Sequence, residues 1–134
     1  MSSIVVGYVP KPEGRAALSR GVEEAKLRNA KLVVVNSHRG GSGFSSGDAM
    51  DTEAQLKEVR AELSAAGVEH EIRQLVQGMD PAEDLIKVAS DVAAEFIVIG
   101  LRRRTPVGKL ILGSNAQRIL LDSPCPVLAV KAAE

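Results

Sequence analysis

Residues 96–117 read FIVIGLRRRTPVGKLILGSNAQ, and the architecture of the chain turns on them. The run Phe96-Ile97-Val98-Ile99 is apolar throughout and stops at Gly100. A continuous apolar run of this length suits a strand covered on both faces. A basic loop follows, and then Gly113-Ser114-Asn115-Ala116-Gln117 opens a helix. Ser114 as the cap and Gln117 three residues later predict a capping box. The order is buried strand, glycine turn, long loop, capped helix. It places backbone N–H groups at the carboxyl end of a strand, where they can hold an anion. The same residues also suffice for plain turns and a plain helix start, so two readings stand at this point.

Working outward, the chain alternates strand and helix as a single domain, residues 1–134. Ile4 to Val9 is a short apolar strand, stopped by Pro10-Lys11-Pro12. Glu13 to Asn29 has helical spacing, with Leu18, Val22 and Ala25 on one stripe. Lys31 to Ser37 is a second buried strand. His38 to Gly47 is rich in glycine and serine, and reads as either a loose loop or a lid. Asp51 to Ala66 is helical, with Leu56, Val59 and Leu63 aligned and Gly67 as the stop. Val68 to Val76 alternates, with Glu69, Glu71 and Arg73 on one face, as an edge strand should. Asp80-Pro81-Ala82-Glu83 supplies a cap, a first-position proline and an acid. That helix is expected to reach about Ala94 and to bury Leu85, Ile86, Ala89 and Val92. The last strand is Pro126 to Val130. Five strands and four helices predict an α/β three-layer sandwich with a parallel sheet.

Composition narrows the function. There is no Trp, one Tyr and two Phe, so stacking platforms for single-stranded nucleic acid are not expected. Seventeen Lys and Arg balance 17 Asp and Glu, which gives no global field toward nucleic acid or an acidic membrane. No apolar run approaches the roughly 20 residues that span a bilayer. One cysteine and no basic leader suggest a soluble, cytoplasmic protein in a reducing compartment.

Other chemistry is mostly set aside. Gly108-Lys109 is followed by Leu110 rather than Ser or Thr, which speaks against a P-loop. Two His and one Cys have no metal-site spacing, so no metal is expected. Cys125 lies between prolines at the start of the last strand, the opposite end from the carboxyl ends where an anion could be held, and reads as a half-buried structural thiol. His38 follows the second strand as a solvent-facing loop residue or a ligand contact. Arg102, Arg103 and Arg104 form the one local charge cluster, a solvated loop or an anion clamp. No base, nucleophile or magnesium-binding carboxylate is expected at the crevice, so the chain is not read as an enzyme.

Over nearly its whole length the chain resembles the universal stress protein family. The family motif is Gly, two residues, Gly, nine residues, then Gly-Ser or Gly-Thr. Here it runs from Gly100 through Arg103 to Gly113-Ser114. The ending Ser123-Pro124-Cys125-Pro126-Val127-Leu128-Ala129-Val130 is also similar to the family's closing strand. The resemblance implies a Rossmann-like sheet of order 3-2-1-4-5, a homodimer, and a regulatory adenine-nucleotide (ATP or AMP) binding role in stress response. The alternative is a nucleotide-free dimeric interaction module.

Two departures fall on function. ATP-binding members end the first strand in aspartate; Val9 stands there, and no carboxylate precedes Glu13. Arg103 replaces the motif's second glycine, and either blocks the phosphate or reaches it with its own donors. The implied order puts the crevice between strands 1 and 4. Val9 and Pro10 would face it, and Gly113, Ser114 and Asn115 would close it with helix N–H groups. By resemblance, Gly100, Gly113 and Ser114 would hold ribose and phosphates. Backbone at Val35 or Asn36 would meet the base. The implied order also leaves Val127, Leu128, Ala129 and Val130 at a sheet edge, apolar on both faces. Such an edge is expected to pair with its own copy, antiparallel, in a homodimer.

Overall fold

The structure is a computed structural model that describes residues 2–38, 46–76, 80–101 and 113–132. The elements, in order, are β1 (Ser3–Gly7), α1 (Pro12–Arg28), β2 (Lys31–His38), α2 (Ser46–Ala65), β3 (His70–Val76), α3 (Pro81–Asp91), β4 (Phe96–Leu101), α4 (Ser114–Asp122) and β5 (Val127–Lys131). The sheet order is β3-β2-β1-β4-β5, and every pair is parallel. Strand type, helix type and sheet order are therefore as expected.

The apolar strands are covered on both faces because parallel strands need crossovers, and the crossovers here are helices. Alternate side chains of β1 and β2 divide between two cores. Ile4, Val6, Leu32 and Val34 pack with Leu18, Leu56, Val59 and Leu63 of α1 and α2. Val5, Val33 and Val35 pack with Leu85, Ala89 and Ile119 of α3 and α4. Ile4, Val5 and Val6 are completely buried. Each such side chain contributes about 1.5–3 kcal/mol relative to exposure.

Several boundaries differ from expectation. β1 ends at Gly7 rather than Val9. The prolines explain this: Pro12 does not merely stop the strand but opens α1 at its first position, where its missing N–H costs nothing. Helix α2 starts at Ser46, so the expected glycine- and serine-rich loop is shorter by its last two residues. Residues 39–45 of that loop lie outside the described set. His38 closes β2 rather than starting the loop. Helix α3 stops at Asp91, with Val92 as its cap and Ala93 left-handed at φ 51°. Leu85 and Ala89 are buried as expected, while Ile86 and Val92 are only partly so.

Polar contacts pin the layers. Glu24, nearly buried on α1, accepts Arg20 Nη2 at 3.0 Å and Arg28 Nε at 3.2 Å. Arg28 also reaches Glu95 at 2.9 Å and stacks over Phe96, which fixes the end of α1 to the start of β4. Arg118 of α4 meets Glu83 of α3 at 2.7 Å. Cys125 is partly buried against the α3/α4 core. Its backbone is held by Ser123, whose Oγ donates to the Cys125 carbonyl at 2.7 Å.

Candidate nucleotide site

Strand β1 is followed by α1 on one face of the sheet, and β4 leads toward α4 on the other. The chain thus diverges between the carboxyl ends of two adjacent strands, and a crevice must open there. A cavity of about 170 Å³ occupies it. Its walls come from six elements. Gly7 of β1 and the following Tyr8 and Val9 form one side, with Glu13 and Gly14 of α1. Val35 of β2 and Ile99 and Gly100 of β4 lie at the strand ends. Pro81, Ala82 and Leu85 of α3 and Asn115, Ala116 and Ile119 of α4 close the other side.

Two glycines let the backbone pack this closely. A Cβ on Gly14 would stand 1.8 Å from the Val9 carbonyl oxygen. A Cβ on Gly100 would stand 1.8 Å from the Glu13 carbonyl oxygen. The first turn of α1 is therefore wedged between the segment after β1 and the end of β4.

Three helix starts meet the cavity, and they differ in charge. Helices α1 and α3 begin with proline, which has no N–H to offer. Both carry acids in their first turn, Glu13 in α1 and Glu83 and Asp84 in α3. The Asp80 carboxylate also accepts the Ala82 N–H at 3.0 Å. Helix α4 has no acid in its first turn, and its cap is Gly113, which has no side chain to occupy the N–H groups. The positive end of α4 is the one left for an anion. The expected capping box is corrected by this: Gly113 has the extended geometry of a cap (φ −70°, ψ 165°), and Ser114 is already the first helical residue.

Of the residues expected at the site, Val9, Val35, Gly100 and Asn115 are brought together in the cavity wall. Val9 is 39% exposed there, the value expected of a rim residue rather than a core one. Pro10, Gly113 and Ser114 adjoin wall residues without lining the cavity. Arg102 and Arg103 lie outside the described residues. The Val35 carbonyl accepts Tyr8 N at 2.9 Å, and Asn36 is buried with Nδ2 donating to the Tyr8 carbonyl at 3.2 Å. Both contacts hold the segment after β1 against β2.

Among the wall residues that sequence reasoning missed are Glu13 and Gly14 of α1 and Pro81, Ala82 and Leu85 of α3. The only local signal is that Glu13, Gly14, Pro81 and Ala82 lie in the first turn of a helix; which helix starts meet the crevice is set by tertiary contact. Glu13 also corrects the expectation that no carboxylate reaches the crevice. Burial raises the Tyr8 hydroxyl above its ordinary value, partly offset by the charge and hydrogen bond of Arg15. Among the described residues no cluster of three or more His, Cys, Asp or Glu could hold a metal. No described helix is long and apolar enough to cross a membrane.

Comparison with known proteins places this geometry. The model of the universal stress protein family matches residues 1–131. A universal stress protein of Mycolicibacterium smegmatis is 49% identical over 128 residues, 96% of each chain. A solved universal stress protein from Archaeoglobus fulgidus is 35% identical with a TM-score of 0.85, covering 98% of this chain and 99% of that one. A second structure from Archaeoglobus fulgidus, in complex with dAMP, is 30% identical with a TM-score of 0.79 and covers 98% of both chains. A family model that matches residues 1–131, 49% identity over 96% of a relative's chain and a shared fold across nearly the whole length lead to one conclusion: the chain belongs to the universal stress protein family.

Proposed function

We propose that this protein binds an adenine nucleotide, AMP or ATP, in the cavity between β1 and β4, and that it acts as a regulatory, non-catalytic homodimer in the cytoplasm. One observation carries the binding: the acid-free start of α4, whose glycine cap brings no side-chain bond to it among the described residues, faces a cavity whose other described walls are, apart from Glu13, mostly apolar side chains and close-packed backbone. Such a site offers donors to phosphate at one end and apolar contact to a base at the other. The relative solved with dAMP supports the same choice of ligand. Gly100, Gly113, Ser114 and Asn115 serve ribose and phosphate, while Val9, Pro10 and Val35 serve the apolar side. Arg102 and Arg103, in the basic loop, supply charge to the phosphate. Titration calorimetry with AMP and ATP on the purified protein tests this, together with analysis of nucleotide that co-purifies from cells. Saturable heat and a raised melting temperature are expected. Neither heat nor shift at millimolar nucleotide would leave the protein as a dimeric interaction module.

The dimer is proposed through β5. Strand β5 is the sheet edge, and Val127, Leu128 and Val130 are only partly buried. The opposite edge, β3, carries Glu71 and Arg73, charges that discourage pairing.

A further inference from the structure

We propose that Arg118 sets the preference of this site for a nucleotide over its nucleoside, by holding the start of α4 against the start of α3; this deepens the nucleotide reading above and rests on it. Arg118 leaves α4 and reaches three carboxylates. Its Nη2 lies 2.7 Å from Glu83, in the first turn of α3, and its Nη1 lies 3.9 Å from Asp80, the cap of that helix. Its Nε lies 3.7 Å from Asp122, one turn further along α4. The Glu83 hydrogen bond, more than any other contact, raises the guanidinium above its ordinary value.

Helix α4 has little else to fix it. It is nine residues long, and Ile119 is its one buried residue. On the inner side of the seam between the helices, Ile119 and the partly buried Ala116 share a core with Ala82 and Leu85. On the outer side stands the Arg118 cluster, with the side chains of Arg118 and Glu83 42% and 40% exposed. Ion pairs so exposed add little to global stability. Their effect here is on geometry, because a guanidinium shared among carboxylates of two helices fixes how one helix sits on the other. The same two helices supply one wall of the cavity, through Ala82 and Leu85 on α3 and Asn115 and Ile119 on α4. A phosphate at the start of α4 needs the helix N–H groups within hydrogen-bond distance, and a displacement of about 1 Å forfeits those bonds. The apolar end of the site, at Val9 and Val35, stands on β2 and the segment after β1 and does not depend on the seam. Loosening α4 therefore removes the phosphate's share of the affinity and spares the nucleoside's.

Titration calorimetry with AMP and adenosine on the full chain tests the assignment, using wild type, Arg118→Ala, Arg118→Lys and Glu83→Ala. Wild type should bind AMP about tenfold or more tightly than adenosine. Arg118→Ala should weaken AMP about tenfold while leaving adenosine within about twofold. Arg118→Lys, which keeps the charge but lacks the planar fork, should fall between. Glu83→Ala gives the deciding sign. It removes a negative charge, which by Coulomb attraction alone would strengthen AMP, whereas loss of the tie should weaken it. Circular dichroism and melting temperature confirm that each variant is folded; should Arg118→Ala fail to fold, Arg118→Lys and Glu83→Ala carry the test. The role of Arg118 is overturned, with binding in the cavity intact, by a wild type without preference for AMP or by an Arg118→Ala protein that keeps the wild-type ratio. It is equally overturned by variants that weaken both ligands alike, or by a Glu83→Ala protein that binds AMP more tightly. A wild type that binds neither ligand would overturn both this role and the nucleotide reading.

Discussion

The carbonyl oxygen of Glu13 lies where a side chain on Gly100 would have to begin, 1.8 Å from the Cβ position. The obstruction is backbone, so it cannot rotate aside. Gly100→Ala must push the first turn of α1 away from β4. It should cost about 1–3 kcal/mol in urea denaturation and open the cavity, with nucleotide affinity falling further than stability. A Gly100→Ala protein with wild-type stability and affinity would show that the wedge is not needed.

The acid-free start of α4 makes an opposite-sign prediction. Gly113→Asp introduces a better cap and should raise stability by a few tenths of a kcal/mol. The same carboxylate would occupy the helix N–H groups and repel phosphate, so nucleotide affinity should fall at least tenfold. Stability and affinity moving in opposite directions, by thermal melt and calorimetry, is the expected result. Equal affinity in both proteins would remove α4 from the site.

Strand β5 offers a backbone test of assembly. Ile97 N donates to the Pro126 carbonyl at 3.0 Å, and Ala132 N donates to the Leu101 carbonyl at 2.9 Å. Even-numbered backbone groups of β5 thus face β4, and those of Val127 and Ala129 point outward. Val127→Pro removes an outward donor and spares the ladder to β4. Sedimentation should give a dimer for wild type at micromolar concentration and a shift toward monomer for the variant, with helical circular dichroism retained. A monomeric wild type would sink the dimer.

The pH dependence of stability should carry a contribution from the far edge. Arg73, and after it Lys31, holds the Glu71 carboxyl below its ordinary value. A depressed folded-state value means stability that is present above the unfolded value of about 4.3 and lost as pH falls through the folded one. The groups are about one-third exposed, so the contribution is at most about 1 kcal/mol. Glu71→Gln should flatten the stability curve below about pH 5 and leave its slope near neutrality unchanged. An unchanged acid limb would show the pairs to be energetically silent.

Much of this fold could be read directly from the chain. Val33-Val34-Val35 and Ile97-Val98-Ile99 are apolar without interruption, and only a sheet covered twice accommodates that. Asp80-Pro81 announced α3 because cap and proline act locally. What escaped depended on tertiary contact. Ser114 and Gly113 both suit a cap, and only the backbone angles decide that Gly113 takes the position. Glu13 was invisible as a site residue because its place is set by Gly100, distant in sequence, through a contact between backbones. Pro81 and Ala82 were read as a helix start, but their presence in the cavity wall follows from the crossover that sets α3 beside α4.

The central position of β1 bears on how the chain is made. Of the five strands it is the first to be synthesised, and its two neighbours follow at very different times. Ile4 meets Leu32 early, but its other partner, Phe96, comes roughly ninety residues after it. At translation rates of about 5–20 residues per second, one side of β1 is without its partner for several seconds. During that interval an unbroken Ile-Val-Val edge is open to any passing strand. A newborn chain of this protein should therefore engage chaperones until β4 is released, and truncation before Phe96 should yield aggregates rather than a smaller folded unit.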